Sequence, residues 1–214
     1  MNRFFLFFLI SFFFSCEKQS YQIGDIFFQD LDCGAPCQAI EAVTSGYQGA
    51  QLSHCAIITS IGTSNYDTIL TEAIGETVTQ TTLHDFLNRS NKVFVGRLKD
   101  EYQYMIPDAI TYIQTDLNGK PYDYIFDITD DTYYCSEIIY EGLKKADNTQ
   151  ELFSLKPMTF NEPGTEMPFV HWVEYYEDLG HPIPEGELGL NPGGMSRSDA
   201  IEIIHIYEKP TGMY

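Results

Sequence analysis

The chain has 214 residues, with 31 acidic against 12 basic side chains and a formal net charge of −19. That balance argues against nucleic acid or any other polyanion as a partner. A content of 43% apolar and 14% aromatic residues argues against a disordered chain. The acidic residues are dispersed, without the Asp-x-Asp-x-Asp-Gly spacing of a calcium loop, and their plainest role is solubility.

The first residues read MNRFFLFFLISFFFSC. Arg3 supplies a positive start, and the apolar run from Phe4 to Phe14 is broken only by Ser11. The run is too short to span a bilayer, which takes about 20 residues, and it suits the apolar region of an export signal. Ser15 and Cys16 follow, and then polar EKQS. This resembles a bacterial lipoprotein signal, cut before Cys16, whose thiol is then acylated. Phe13 and Phe14 depart from the leucine and small residue usual there, and an ordinary secretory signal with an incidental cysteine is the alternative. The expected organisation is a signal over 1–15, a short tether over 16–22 and one domain over 23–214. Acyl chains would hold that domain against a membrane surface rather than embed it.

YQIGDIFFQD opens the domain and predicts a strand over Ile26 to Phe28. CGAPCQAIEAVTSG predicts a helix with Pro36 in its first turn, Ala39, Ile40 and Val43 on one stripe, and a stop at Gly46. QLSHCAIITSIG and YDTILTEAIGETV read as two strands of a hairpin, turning between Gly62 and Asn65. KVFVGRLK is a further strand, and a helix is expected from Pro107 to about Leu117. LNGKPYDYIFD reads as a turn and an extended aromatic segment, followed by a helix from Cys135. NEPGTEMPFVHW and LGHPIPEGELGLNPGG read as loops, and AIEIIHIYEK closes the chain as a strand. Helices segregated from a mainly antiparallel sheet make an α+β domain.

Four cysteines remain after Cys16: Cys33, Cys37, Cys55 and Cys135. Cys33 and Cys37 are near enough to pair, though spacing alone does not decide it. Cys135 opens an amphipathic helix carrying Ile138, Ile139, Leu143 and Ala146. Free N–H groups and the helix dipole favour a thiolate there, and the same amides suit an oxyanion. Glu137, in the same turn, competes for that field or caps the helix. A packed structural thiol is the other reading.

A reactive thiol needs an imidazole. Strand alternation puts His54 on one face with Leu52, Ala56 and Ile58, and sends Cys55 to the other, into the core. His84, His171, His181 and His205 are less well placed, His205 being the best rival. Glu72, on a face with Leu70 and Ile74, is an acid that is costly to bury unless paired. It is preferred over Glu76, beyond Gly75. A core histidine and a solvated edge acid are the bland alternatives for the pair.

The runs LSHCAII, LTEAIGETV and GKPYDYIFD…YYCSEIIYEGL, in that order, resemble the YiiX/YebB-like group of the NlpC/P60 superfamily, the permuted papain-like cysteine hydrolases. IGDIFF, QAIEAVTSG and SRSDAIEII fit the same pattern, so the resemblance spans most of the mature chain. It implies a permuted papain-like α+β fold, a sheet or half-barrel packed on helices. It further implies Cys135 as nucleophile, His54 as base, Glu72 as its orienting carboxylate, and a tyrosine near the site, Tyr122 or Tyr134. Two local departures are extra residues ahead of His54 and Cys55 in place of a small or apolar residue. Cys37 also opens a helix, but the 17 positions to His54 hardly hold the elements the unpermuted order needs.

The resemblance therefore implies an exported amidase or peptidase of the cell envelope, with cell-wall peptide as the first substrate. Acyl-lipid hydrolysis or acyl transfer by the same residues is an alternative, and a non-catalytic binding lipoprotein is another. No cofactor is called for. Cys, His and Glu could mimic a zinc set, but the close-spaced ligand pair usual in zinc sites is missing.

Overall fold

A computed structural model describes residues 21–149 and 151–214. β1 (Ile26–Gln29) is an inner strand, pairing antiparallel with β2 (His54–Ser60) on one side and β5 (Val93–Leu98) on the other. β3 (Ile69–Ile74), β4 (Thr77–Thr82) and β8 (Ile201–Glu208) complete a six-stranded sheet in the order β4-β3-β2-β1-β5-β8. Every neighbouring pair is antiparallel. The α+β class expected from the sequence is the class observed.

The inner strands read as near-continuous apolar runs because both sheet faces are covered. Ile26, Phe28, Cys55, Ile57 and Phe94 point to one side, into a core shared with Ile138, Ile139 and Leu143. Phe27, Ala56, Ile58, Leu70, Val93 and Val95 point to the other, against Leu83 and Phe86. Phe27, Phe28, Phe86 and Phe94 are fully enclosed, each stabilising the fold by about 1.5–3 kcal/mol.

The segment YDTILTEAIGETV is not one strand. It reverses at Gly75-Glu76, with Ile74 paired to Thr77, and Gly75 takes the positive φ of 64° that the tight turn needs. Straight after β4 comes α2 (Leu83–Arg89), a helix not expected from the sequence. Thr82 caps it, its hydroxyl accepting from the Asp85 N–H at 3.1 Å. Gln29 pins the far end by donating to the carbonyls of Phe86 and Ser90.

On the opposite face lie α3 (Ile106–Tyr112), which runs on as a wider π turn over Ile113–Leu117, and α4 (Cys135–Ala146). A Cβ on Gly142 of α4 would meet Ile113 Cδ1 at 2.7 Å, so glycine there permits the close approach of the two helices. α1 (Ala35–Val43) begins close to its expected place, and Cys37 within it is disulfide-bonded to Cys33.

β6 (Lys156–Pro157) lies ahead of the first run read as a loop and pairs with β7 (Leu188–Gly189), within the second, and α5 (Val170–Leu179) stands between them. α5 buries Trp172 and Tyr176 against Ala39 and Phe160, and Gly180, at φ 65°, ends it. A short α6 (Pro192–Ser196) precedes β8. Tyr21, counted with the tether on sequence grounds, already belongs to the folded unit. Its hydroxyl lies 2.6 Å from that of Tyr207, and its ring packs on Phe27. The signal and Cys16 lie outside the described residues.

Candidate functional site

Cys135 is the first residue of α4, preceded by Tyr134 in an extended conformation. As an N1 residue its N–H has no acceptor within the helix. Ile138, Ile139 and Leu143 fasten the apolar side of α4 to the sheet, which fixes where the thiol sits. Cys135 is nearly enclosed and borders a cleft of about 280 Å³. Met158, Phe160, Trp172 and Leu190 form much of the apolar wall, and Tyr122, Phe126 and Tyr134 also line it.

His54 begins β2. Its Nε2 lies 2.6 Å from Glu72 Oε2, and its ring stacks on Phe86 with centroids 6.0 Å apart. Ile58 pairs with Leu70, so Glu72, two residues on, shares the face of His54, as alternation predicted. The β2–β3 ladder begins only at Ile57 and Thr71 among the described residues. Ahead of it the strands part. Cys135 comes from the α4 side, and the groups that act on its thiol electrostatically are the Cys55 thiol, the His54 imidazole and the Cys55 N–H.

The charges reinforce one another. The Cys55 thiol, donating a hydrogen bond, is the strongest influence lowering the Cys135 pKa. Burial opposes it, and the hydrogen bond and positive charge of His54 add to the lowering, which leaves Cys135 well below an ordinary thiol. Burial alone would pull His54 down, but Cys135 and Glu72 overcome it and push its pKa up to about 9. Burial works to raise Glu72 as well, yet His54 and Arg89 hold it down at about 2. These directions favour a thiolate–imidazolium pair beside an ionised carboxylate.

Two neighbours act on the site: Cys55 in a part the sequence did not reveal, and Glu137 in the capping role that was one of its two sequence readings. Cys55 is enclosed in the core, as expected, and burial pushes its pKa well up. It therefore stays protonated and serves Cys135 as a donor. Glu137 caps the helix, its Oε2 accepting from the Tyr134 N–H at 3.2 Å. Burial pushes Glu137 up to about 9, so it is neutral near pH 7 and does not compete with the thiolate for the helix field.

The remaining sequence candidates separate clearly. Glu76 is exposed in the β3–β4 turn. His205 packs its ring against Tyr207 and Tyr21 on β8, three strands from β2. His84 stacks on Tyr66, His171 rides on α5, and His181 is exposed. Tyr134 is buried, and its hydroxyl accepts from the Leu190 N–H at 3.2 Å. The Tyr122 hydroxyl has no hydrogen-bond partner among the described residues, and Tyr122 lines the cleft beside Cys135.

Arg89 and Phe86, both on α2, were missed from the sequence. Arg89 Nη2 lies 2.8 Å and 2.7 Å from the two Glu72 oxygens. The available signal was TTLHDFLNR: Thr82 as cap, Asp85 three residues on, and Leu83, Phe86 and Leu87 at helical spacing.

Comparison with known proteins supplies a context for this arrangement. Residues 20–205 match a family model described as permuted papain-like amidase enzyme, YaeF/YiiX, C92 family. Among solved structures, the chain is similar to YiiX from Escherichia coli O157:H7, described as a metalloprotein. The TM-score is 0.65 at 24% identity, covering 88% of this chain and 98% of that one. No curated protein matches.

Proposed function

Because the chain belongs to the YaeF/YiiX (C92) family of permuted papain-like amidases, we propose that Cys135, His54 and Glu72 act together as the catalytic triad of this hydrolase. The observation that carries the reading is a thiol that opens a helix at the wall of the cleft, its pKa lowered in part by His54, whose imidazole is held 2.6 Å from a buried carboxylate.

The Cys135 thiolate attacks the amide carbonyl carbon, and the carbonyl electron pair moves to oxygen. The free Cys135 N–H is the first candidate to hold that oxyanion, and the Tyr122 hydroxyl, on the same cleft lining, is the second. His54 delivers its proton to the amide nitrogen as the C–N bond breaks, leaving a thioester. The neutral imidazole then takes a proton from water, hydroxide adds to the thioester, and the C–S bond breaks to restore the thiolate. Glu72 keeps Nε2 engaged, so Nδ1 is the nitrogen left to exchange protons with sulfur and water.

The metal that the neighbour's description implies has no ready ligand set among the described residues. Among the described residues no group of three or more His, Cys, Asp or Glu side chains could hold one. The steps above use the chain's own side chains. An exported lipoprotein acylated at Cys16 would work at the cell envelope, where cell-wall peptide amides are the first substrates to offer. The apolar wall of Met158, Phe160, Trp172 and Leu190 favours acyl amides as a second class.

The test is activity-based labelling of the purified chain, followed by hydrolysis of peptidoglycan fragments and acyl amides side by side. Wild type should label and turn over one class, with Cys135→Ala and His54→Ala silent in both assays. Full hydrolysis by Cys135→Ala would discard the triad.

A further inference from the structure

The cleft beside Cys135 runs against the charge of the rest of the molecule. The chain carries 31 acidic residues, yet among the described residues no Asp or Glu lines this opening. Two cations do, Lys156 from β6 and Arg197 from just beyond α6. Cations elsewhere are commonly spent on acids: Arg89 on Glu72, Lys92 on Asp30, Arg97 on Asp25, Lys120 on Asp131 and Lys144 on Glu141. Lys156 and Arg197 have no acidic partner among the described residues, and both are solvent-exposed.

A net charge of −19 repels anions at a distance. A site meant for a neutral or cationic ligand has no need of two unpaired cations on its lining and would benefit from a nearby carboxylate. A site meant for an anion needs this local reversal of sign. Below the cations the wall is apolar, and the volume of about 280 Å³ falls just under the usual span of small-molecule sites, about 300–1,000 Å³. That leaves room for a short apolar arm.

We infer that the substrate is an amide pairing a short apolar arm with an anionic group, carboxylate or phosphate, and that Lys156 and Arg197 are the residues that select the anion. This rests on the reading of Cys135 as the reacting atom. It also narrows that reading, because amides bearing free amines are disfavoured by the same two cations.

The chain has one tryptophan, Trp172, and it lines the cleft, so its fluorescence reports occupancy directly. The Cys135→Ala protein, which turns nothing over, is titrated with hexanoate, hexyl phosphate, hexanamide and hexylamine. The better anion should bind about tenfold more tightly than hexanamide, the yield of two solvent-exposed charge contacts, with hexylamine weakest. The difference between hexanoate and hexyl phosphate identifies the anionic group. Adding K156Q and R197Q together should bring the four probes level, whereas K209Q, which removes an exposed cation outside the cleft, should preserve the ranking. Hexylamine or hexanamide binding as tightly as both anions, absence of anion binding, or a preference that survives the double substitution overturns the inference. Hydrolysis of hexanoylglycine and its neutral amide by wild type is read separately. Anion binding without hydrolysis removes the amidase reading alone, and hydrolysis without any anion preference removes the specificity inference alone.

Discussion

Arg89 grips both oxygens of Glu72 through a single nitrogen, Nη2, at 2.8 Å and 2.7 Å, while one of those oxygens also holds His54. Glu72 is completely buried and would be expensive as a lone anion. Two cations make it tolerable, and its charge in turn helps the imidazole stay protonated.

Removing that carboxylate leaves a buried imidazolium with one partner fewer. Glu72→Ala should cost about 3–5 kcal/mol, the usual loss when one member of a buried ion pair is deleted. Glu72→Gln keeps the shape without the charge. It should move the alkaline limb of activity below the wild-type limb near pH 9, where His54 loses its proton. Denaturant unfolding and a pH–rate profile measure the two effects. An unchanged alkaline limb in Glu72→Gln would mean that the carboxylate does not tune His54.

The thiolate itself has a pH signature. Cys135 is lowered and His54 raised, so the ion pair exists above the thiol's pKa and is lost as pH rises through about 9. Alkylation of wild-type Cys135 by iodoacetamide should therefore already be fast at pH 6.5. In His54→Ala the thiol loses the imidazole's hydrogen bond and positive charge, so its pKa should rise and alkylation at pH 6.5 should slow, while the Cys55 donor keeps part of the lowering. Labelling must be assigned to Cys135 by peptide mapping, since Cys55 is also a free thiol. Equal rates in the two proteins contradict the pairing.

Cys55→Ala isolates the donor that His54 cannot replace. Losing the thiol hydrogen bond should raise the Cys135 pKa and slow alkylation at pH 6.5, with pH dependence still bounded by His54 near 9. A structural thiol would change stability and leave the Cys135 pH profile where it was, so the profile discriminates between the two roles.

Phe86 supports His54 from behind, on a helix that also carries Arg89. Phe86→Ala should destabilise by about 3–5 kcal/mol through the cavity it leaves. For a chain of this size that is on the order of a 10 °C fall in Tm. Phe86→Leu fills most of the space and should recover much of the stability, while the loss of the stacked ring lowers turnover. Full turnover in Phe86→Leu would limit Phe86 to packing.

What could be read from the sequence follows what is local. β1, β2, β5, β8 and the start of α4 announce themselves through short-range pattern. Cys135 was recognisable because a cap and an apolar stripe place it at a helix start, and His54 and Glu72 because two-residue alternation puts each on a defined face. α2 was hidden because seven residues are too few to establish a helical period, and α5 because prolines and glycines flank it on both sides. The contact between Cys135 and the edge of β2 was hidden for a different reason. It depends on β2 and β3 parting ahead of Ile57, a register event with no local signature. Alternation sent Cys55 to the core correctly, but could not say that the same core would deliver Cys135 beside it.

Glu137 makes a last test, because its stability contribution runs opposite in pH to that of Glu72. Its folded-state pKa is raised from the ordinary carboxylate range to about 9, so its contribution is fully present below that ordinary range, declines as the unfolded chain alone ionises, and is lost as pH rises through about 9. Glu72, depressed to about 2, contributes above the ordinary carboxylate range and loses that as pH falls through about 2. Glu137 Oε1 is buried without a partner, so an ionised Glu137 has little to compensate it. Glu137→Gln can keep the helix cap, since an amide oxygen still accepts from the Tyr134 N–H. It should match wild type in activity at pH 7 and lose less stability than wild type between pH 7 and 10. Denaturant midpoints across that interval are the measurement. Parallel pH slopes for the two proteins would show that Glu137 ionises normally in the fold, and would return the question of how Cys135 keeps the helix field to itself.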